Sequence, residues 1–106
     1  MNLDKIRQGF TSLADENEWH PMHSPKNLVM ALAVEVGELL EHFQWLDDQA
    51  SRDLKNIPTD KAEVADEMAD VFMYLLALAD KLDIDLQIAA ETKMEKLLQR
   101  FNLNQQ

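Results

Sequence analysis

Apolar residues recur three and four positions apart along most of this chain, and strand-like alternation is nearly absent. That periodicity predicts an all-α protein. A first helix is expected from about Leu3 to Glu18, with Ile6, Phe10, Leu13 and Ala14 on one stripe. Trp19-His20-Pro21-Met22-His23 interrupts it, because Pro21 has no amide hydrogen to donate. Ser24-Pro25 reads as an N-cap followed by a proline in the first turn, opening a second helix that runs to about Leu46. The apolar positions of this second helix, among them Leu28, Val34, Val36 and Leu40, lie on more than one side. A helix apolar nearly all round is expected to be buried, here in part by a partner subunit.

The polar stretch from Asp47 to Thr59 reads as a crossover, with a short helical turn near Arg52 to Lys55. Asp60 and Glu63 have the spacing of a capping box and would start a third helix reaching about Leu82. A fourth helix is expected from near Asp85 to about Phe101, followed by a fraying tail, Asn102 to Gln106. The expected architecture is a four-helix bundle in one domain over residues 1–106.

Composition narrows the chemistry. A chain of 106 residues builds only a small core, and such chains often gain stability by oligomerising. There is no cysteine, which excludes disulfides, thiolate-bound zinc and iron–sulfur clusters. The net charge of −10 argues against nucleic-acid binding, which needs a basic face. The longest unbroken apolar run, Val71 to Ala79, is too short to span a membrane. The segment from Met1 to Phe10 lacks the apolar centre of a secretory signal, so a cytoplasmic setting is expected.

Against that background, two acidic pairs stand out: Glu35-Val36-Gly37-Glu38 and Glu67-Met68-Ala69-Asp70. On a helix, i,i+3 spacing puts both acids of a pair on one face. At about 100° per residue, Glu35, Glu38, His42 and Trp45 share a narrow arc of the second helix. Glu67, Asp70 and Tyr74 share one on the third. Antiparallel packing would gather four carboxylates into one pocket. Crowded carboxylates repel, raise one another's pKa or recruit a cation. All-oxygen ligands favour Mg²⁺, or Mn²⁺, over zinc. A di-iron centre would need Glu-x-x-His on two helices, and position 39, three before His42, is leucine. The competing reading of the acids is a solvated face, and His42 itself reads as a surface or interface histidine.

Further residues carry a resemblance. They are Trp19-His20-Pro21-Met22-His23 leading to Asn27-Leu28, Phe43-Gln44-Trp45 after the first acidic pair, Asp70-Val71-Phe72-Met73-Tyr74 at the second, and Thr92-Lys93-Met94. With the two acidic pairs they make the chain resemble the MazG-type nucleoside triphosphate pyrophosphohydrolases of the compact kind, similar to dCTP pyrophosphatases and integron-associated MazG proteins. The resemblance implies a MazG-like bundle and Mg²⁺-dependent conversion of a (d)NTP to the monophosphate and pyrophosphate, with dCTP and dATP among the candidate substrates. It implies that Glu35, Glu38, Glu67 and Asp70 ligate the metal and carry catalysis. Trp45 and Tyr74 would line the nucleotide pocket, Trp19 and His23 its mouth, and Lys93 would contact phosphate. It also implies a homo-oligomer, a dimer or a tetramer built from dimers. Two positions depart from the dCTP-hydrolysing pattern: Phe10 stands where a histidine is usual, and Leu97 where an asparagine is usual. The other reading of the chain is a non-catalytic helical module that binds metal or nucleotide, or serves in assembly.

Overall fold

The computed structural model describes residues 2–102, and among them there are helices and turns but no strand. Five α-helices follow one another: α1 (Asp4–Glu16), α2 (Pro25–Glu41), α3 (Asp48–Asp53), α4 (Pro58–Lys81) and α5 (Leu86–Arg100). Single 3₁₀ turns, His20–Met22 and Leu54–Asn56, lead into α2 and α4. The all-α expectation holds, and the count rises from four to five. The extra helix sits in the polar crossover, where Asp47 caps it: the Ala50 amide donates to Asp47 Oδ1 at 2.7 Å.

Local chemistry accounts for the other boundaries. Ser24 caps α2 as expected, accepting from the Asn27 amide at 3.2 Å. The Asp60–Glu63 capping box does not form. Instead α4 starts earlier, with Pro58 in its first turn and Ile57 at the N-cap without a side-chain bond. Pro58 brings a preset helical φ and has no amide to leave unpaired, so a polar cap is dispensable there. The second helix stops at Glu41, short of Leu46, and its last bonds tighten: the His42 and Phe43 amides donate to Leu39 and Leu40.

Helix α1 ends at Glu16, ahead of Pro21. There the Trp19 amide donates to the Ala14 carbonyl at 2.8 Å and the Glu18 amide to Asp15 at 3.3 Å, with Glu18 at φ 56°. This is a Schellman closure with a glutamate where glycine is usual. The same closure ends α4, with Asp83 at φ 55° and the Ile84 amide on the Ala79 carbonyl at 2.8 Å. The expected fraying tail lies outside the described residues apart from Asn102, which donates its amide to the Gln99 carbonyl.

Helices α2 and α4 form the main packing unit, and α1 lies against α4. The core is small: Leu28 and Leu76 are its centre, joined by Ala14, Ala79, Val64 and Leu54. The outward side of α2 exposes Met30, Val34 and Leu40, and α5 buries no residue. The radius of gyration is 17.0 Å, against about 13 Å for a compact chain of this length. The accessible surface is 8277 Å², against roughly 6,100 Å² for a compact monomer of this mass. The chain therefore leaves some 2,000 Å² more surface open than its size requires.

Candidate active site

Helices α2 and α4 run antiparallel, so their two acidic pairs meet in opposite order. Asp70 and Glu67 both act on Glu35 through their charges, and Glu38 acts on Glu67. Glu35, Glu38 and Glu67 each offer a carboxylate oxygen within 4.8 Å of the other two. Asp70 stands one step outside that trio but still acts on Glu35 and Glu67 through its charge. Opposite the trio, His42 Nε2 lies 3.8 Å from Glu67 Oε1.

The electrostatics are those of crowded, partly desolvated carboxylates. Burial, then the charge and hydrogen bond of Glu38, then Asp70 and Glu67, hold the Glu35 carboxyl above the ordinary carboxylate range. Loss of water, then Glu38 and Asp70, raise Glu67, while His42 pulls it the other way. One oxygen of each, Glu35 Oε2 and Glu67 Oε2, is buried without a hydrogen-bond partner. A buried, unpaired carboxylate oxygen is costly. Hard oxygen donors converging on one point, two of them unsatisfied, fit a divalent cation.

Beside the carboxylates lies a cavity of about 780 Å³. Glu35, Asp70 and Tyr74 form one side of it, Trp19 and the α1 residues Lys5, Gly9 and Leu13 the other. An aromatic cluster stands behind. The Phe10 ring stacks on His23, with centroids 5.6 Å apart and planes at 29°. It also meets Tyr74 edge-on at 5.8 Å. Trp19 lies 5.8 Å from His23 and 6.5 Å from Phe10. Burial first, then the charges of Glu35 and Asp70, raises the Tyr74 hydroxyl above its usual pKa. A second cavity, about 240 Å³, opens on the far side of Phe10, and Ile6, Phe10 and Met73 line both.

The structure thus brings together Glu35, Glu38, Glu67, Asp70, Trp19, His23 and Tyr74. It leaves Trp45 and Lys93 outside both cavities. Trp45 sits on the turn after α2 and is 87% exposed. Lys93 is exposed on α5. Residue-level reading undervalued His42, whose place on the acidic arc was the available signal. It gave no sign that Lys5 and Gly9 line the cavity, since neither belongs to a motif.

The model of the MazG-like family matches residues 30–106. The chain belongs to the MazG-like family. Among the relatives of this MazG-like chain are the dCTP pyrophosphatases 1 of Rattus norvegicus and Homo sapiens, 39% and 38% identical over 99 residues. Those alignments cover 93% of this chain but 58% of each relative, so the chain spans little more than half their length. A solved structure of a pyrophosphatase from Archaeoglobus fulgidus DSM 4304 is similar at a TM-score of 0.77 and 37% identity. That match covers 93% of the MazG-like chain and 87% of the archaeal one.

Proposed function

We propose that this MazG-like chain is a divalent-metal-dependent nucleoside triphosphate pyrophosphohydrolase. It converts a nucleotide, preferably a dNTP, to the monophosphate and pyrophosphate, a housecleaning reaction on the nucleotide pool. The observation that carries the reading is the carboxylate trio with its two unpartnered buried oxygens, set beside an aromatic-walled cavity of nucleotide size. Relatives named as dCTP pyrophosphatases and a pyrophosphatase of the same fold support the reaction class.

Glu35, Glu38, Glu67 and Asp70 would hold the ion, and their all-oxygen donor set favours Mg²⁺, with Mn²⁺ next. When bound, the cation offsets the negative charge that carboxylates and triphosphate would otherwise bring together. The chain's own residues do the rest. A carboxylate oxygen left free accepts a hydrogen bond from the attacking water and orients it. Trp19, His23 and Tyr74 enclose the nucleoside and exclude water. The open faces of α2 and α5 are covered in a homo-oligomer, a dimer or a tetramer built from dimers. The surplus surface of each protomer is of the size obligate homodimers bury. Such an assembly would carry Trp45 and Lys93 toward a site that neither reaches in its own protomer.

Purified protein incubated with Mg²⁺ and a panel of dNTPs and NTPs is expected to release pyrophosphate and monophosphate in equal amounts. Orthophosphate as the sole product, or undiminished turnover in excess EDTA, would sink the proposal. Binding without turnover would favour the non-catalytic module instead. Replacing Glu38 with glutamine is expected to lower the rate about 10²-fold or more, the range seen when a key electrostatic group is removed.

A further inference from the structure

The nucleotide cavity has a direction. Helix α1 packs antiparallel to α4: Arg7 Nε donates to Asp80 Oδ2 at 2.9 Å, while Phe10, further along α1, meets Tyr74, which precedes Asp80 on α4 and is nearer the acids. Moving forward along α1 is therefore moving back along α4 toward Asp70. Leu13 lies toward the carboxylate end, and Lys5, eight residues earlier, lies about 12 Å away along the helix axis. A triphosphate held at the carboxylates directs its sugar and base along α1 toward Gly9 and Lys5.

Two features of that wall call for a ligand. Gly9 sits inside a helix, where glycine is destabilising relative to alanine. A Cβ there would meet nothing within 4 Å, so no packing against the protomer requires glycine. The space it leaves is cavity. Lys5 is the one cation lining this cavity among the described residues; the other charged groups there are Glu35 and Asp70. No hydrogen bond or ion pair engages the Lys5 ammonium within the described protomer.

We infer that Lys5 and Gly9 form the base-recognition edge of the cavity. Gly9 lets the base approach the α1 backbone. Lys5 donates to a carbonyl oxygen of the base. An ammonium has donors and no acceptor. It therefore favours bases with a carbonyl where cytosine and adenine carry an amino group, that is thymine, uracil and guanine. This inference rests on the pyrophosphohydrolase reading for its substrate class. It separates the chain from its dCTP-hydrolysing relatives at α1, where Phe10 already departs from their pattern.

The test is calorimetric binding, with Mg²⁺, of four dNTP analogues whose α,β-bridge is a non-hydrolysable imido group. The wild type is expected to bind the dTTP and dGTP analogues roughly tenfold more tightly than the dCTP and dATP analogues. Lys5→Met should level the four affinities, and Lys5→Glu, which exchanges donor for acceptor, should reverse their order. Gly9→Ala should weaken all four while raising the melting temperature, a split that a purely structural glycine would not give. The idea is overturned if Lys5→Met keeps the wild-type order, or weakens all four analogues by one factor as a phosphate contact would. It is equally overturned if Gly9→Ala leaves affinity unchanged or if the wild type binds none of the analogues. Pyrophosphate release by the wild type, measured separately, tests the reaction, so loss of that reading leaves the order of binding still legible.

Discussion

Replacing Glu35 with glutamine should strengthen the metal-free fold while removing its metal response. Glu35 places a carboxylate within 4.8 Å of both Glu38 and Glu67, with one oxygen buried and unpaired. At that separation two unit charges repel by about 0.9 kcal/mol in water and about 3.5 kcal/mol at an effective dielectric of 20. The amide keeps the shape and loses the charge, but its own polar atoms still need partners, so the net gain is placed at about 1–2 kcal/mol. In a domain of this size that corresponds to a melting-temperature rise of about 5–10 °C. The assay is thermal denaturation of wild type and Glu35→Gln, in EDTA and then in Mg²⁺. In EDTA the variant is expected to melt higher. In Mg²⁺ only the wild type should gain, and pyrophosphate release by the variant should be lost. The pH dependence has a definite sign. Glu35 and Glu67 bind protons more tightly folded than unfolded. Metal-free wild type should therefore gain stability as pH falls from neutral through the raised values toward the ordinary carboxylate range, and Glu35→Gln should show less of this. A variant that melts lower in EDTA, or keeps the Mg²⁺ gain, would refute the reasoning.

Burial, then Lys81 and His20, depresses the His23 pKa. His23 is therefore expected to subtract stability as pH drops below about 6.5 through the folded value, and urea titrations from pH 7.5 to 5 should show His23→Gln gaining relative to the wild type. Asp83 occupies the left-handed region at φ 55°, so Asp83→Gly should stabilise by about 0.5–1 kcal/mol in chemical denaturation. Light scattering of the purified protein is expected to give a multiple of 12.2 kDa. Val34→Glu on the exposed side of α2 should shift that mass downward; a monomeric wild type would refute the oligomer.

What was legible in the sequence is what local chemistry decides. The acidic pairs could be placed on helix faces from their spacing alone, and Ser24-Pro25 marked the start of α2 because cap and proline act within one turn. Helix ends were harder. The ends of α1 and α4 fell close to expectation, but α2 stops at Glu41 rather than Leu46 and α4 starts at Pro58 rather than at the Asp60 box. The site was legible only by halves. Each acidic pair announces its own face, but the register that sets Glu35 against Asp70 comes from packing around Leu28 and Leu76. Lys5 and Gly9 reach the cavity because α1 lies across α4, a contact that joins residues more than sixty positions apart and leaves no trace in local periodicity. His42 fell between the two cases, visible on the acidic arc but given its partner, Glu67, only by the helix pairing.

Ile6, Phe10 and Met73 line both cavities and stand between them. The rotamers of these three side chains therefore bear on the room in both chambers. Methionine readily adapts its shape to its surroundings. The room available to a base could then be enlarged without touching the helices that align the carboxylates. A truncation such as Phe10→Ala would join about 240 Å³ to the larger chamber, at a stability cost of about 3–5 kcal/mol were the ring fully buried and less for this half-buried one. In this fold, a change in the size of acceptable base is one substitution away, while a change in the metal site would require moving α2 against α4.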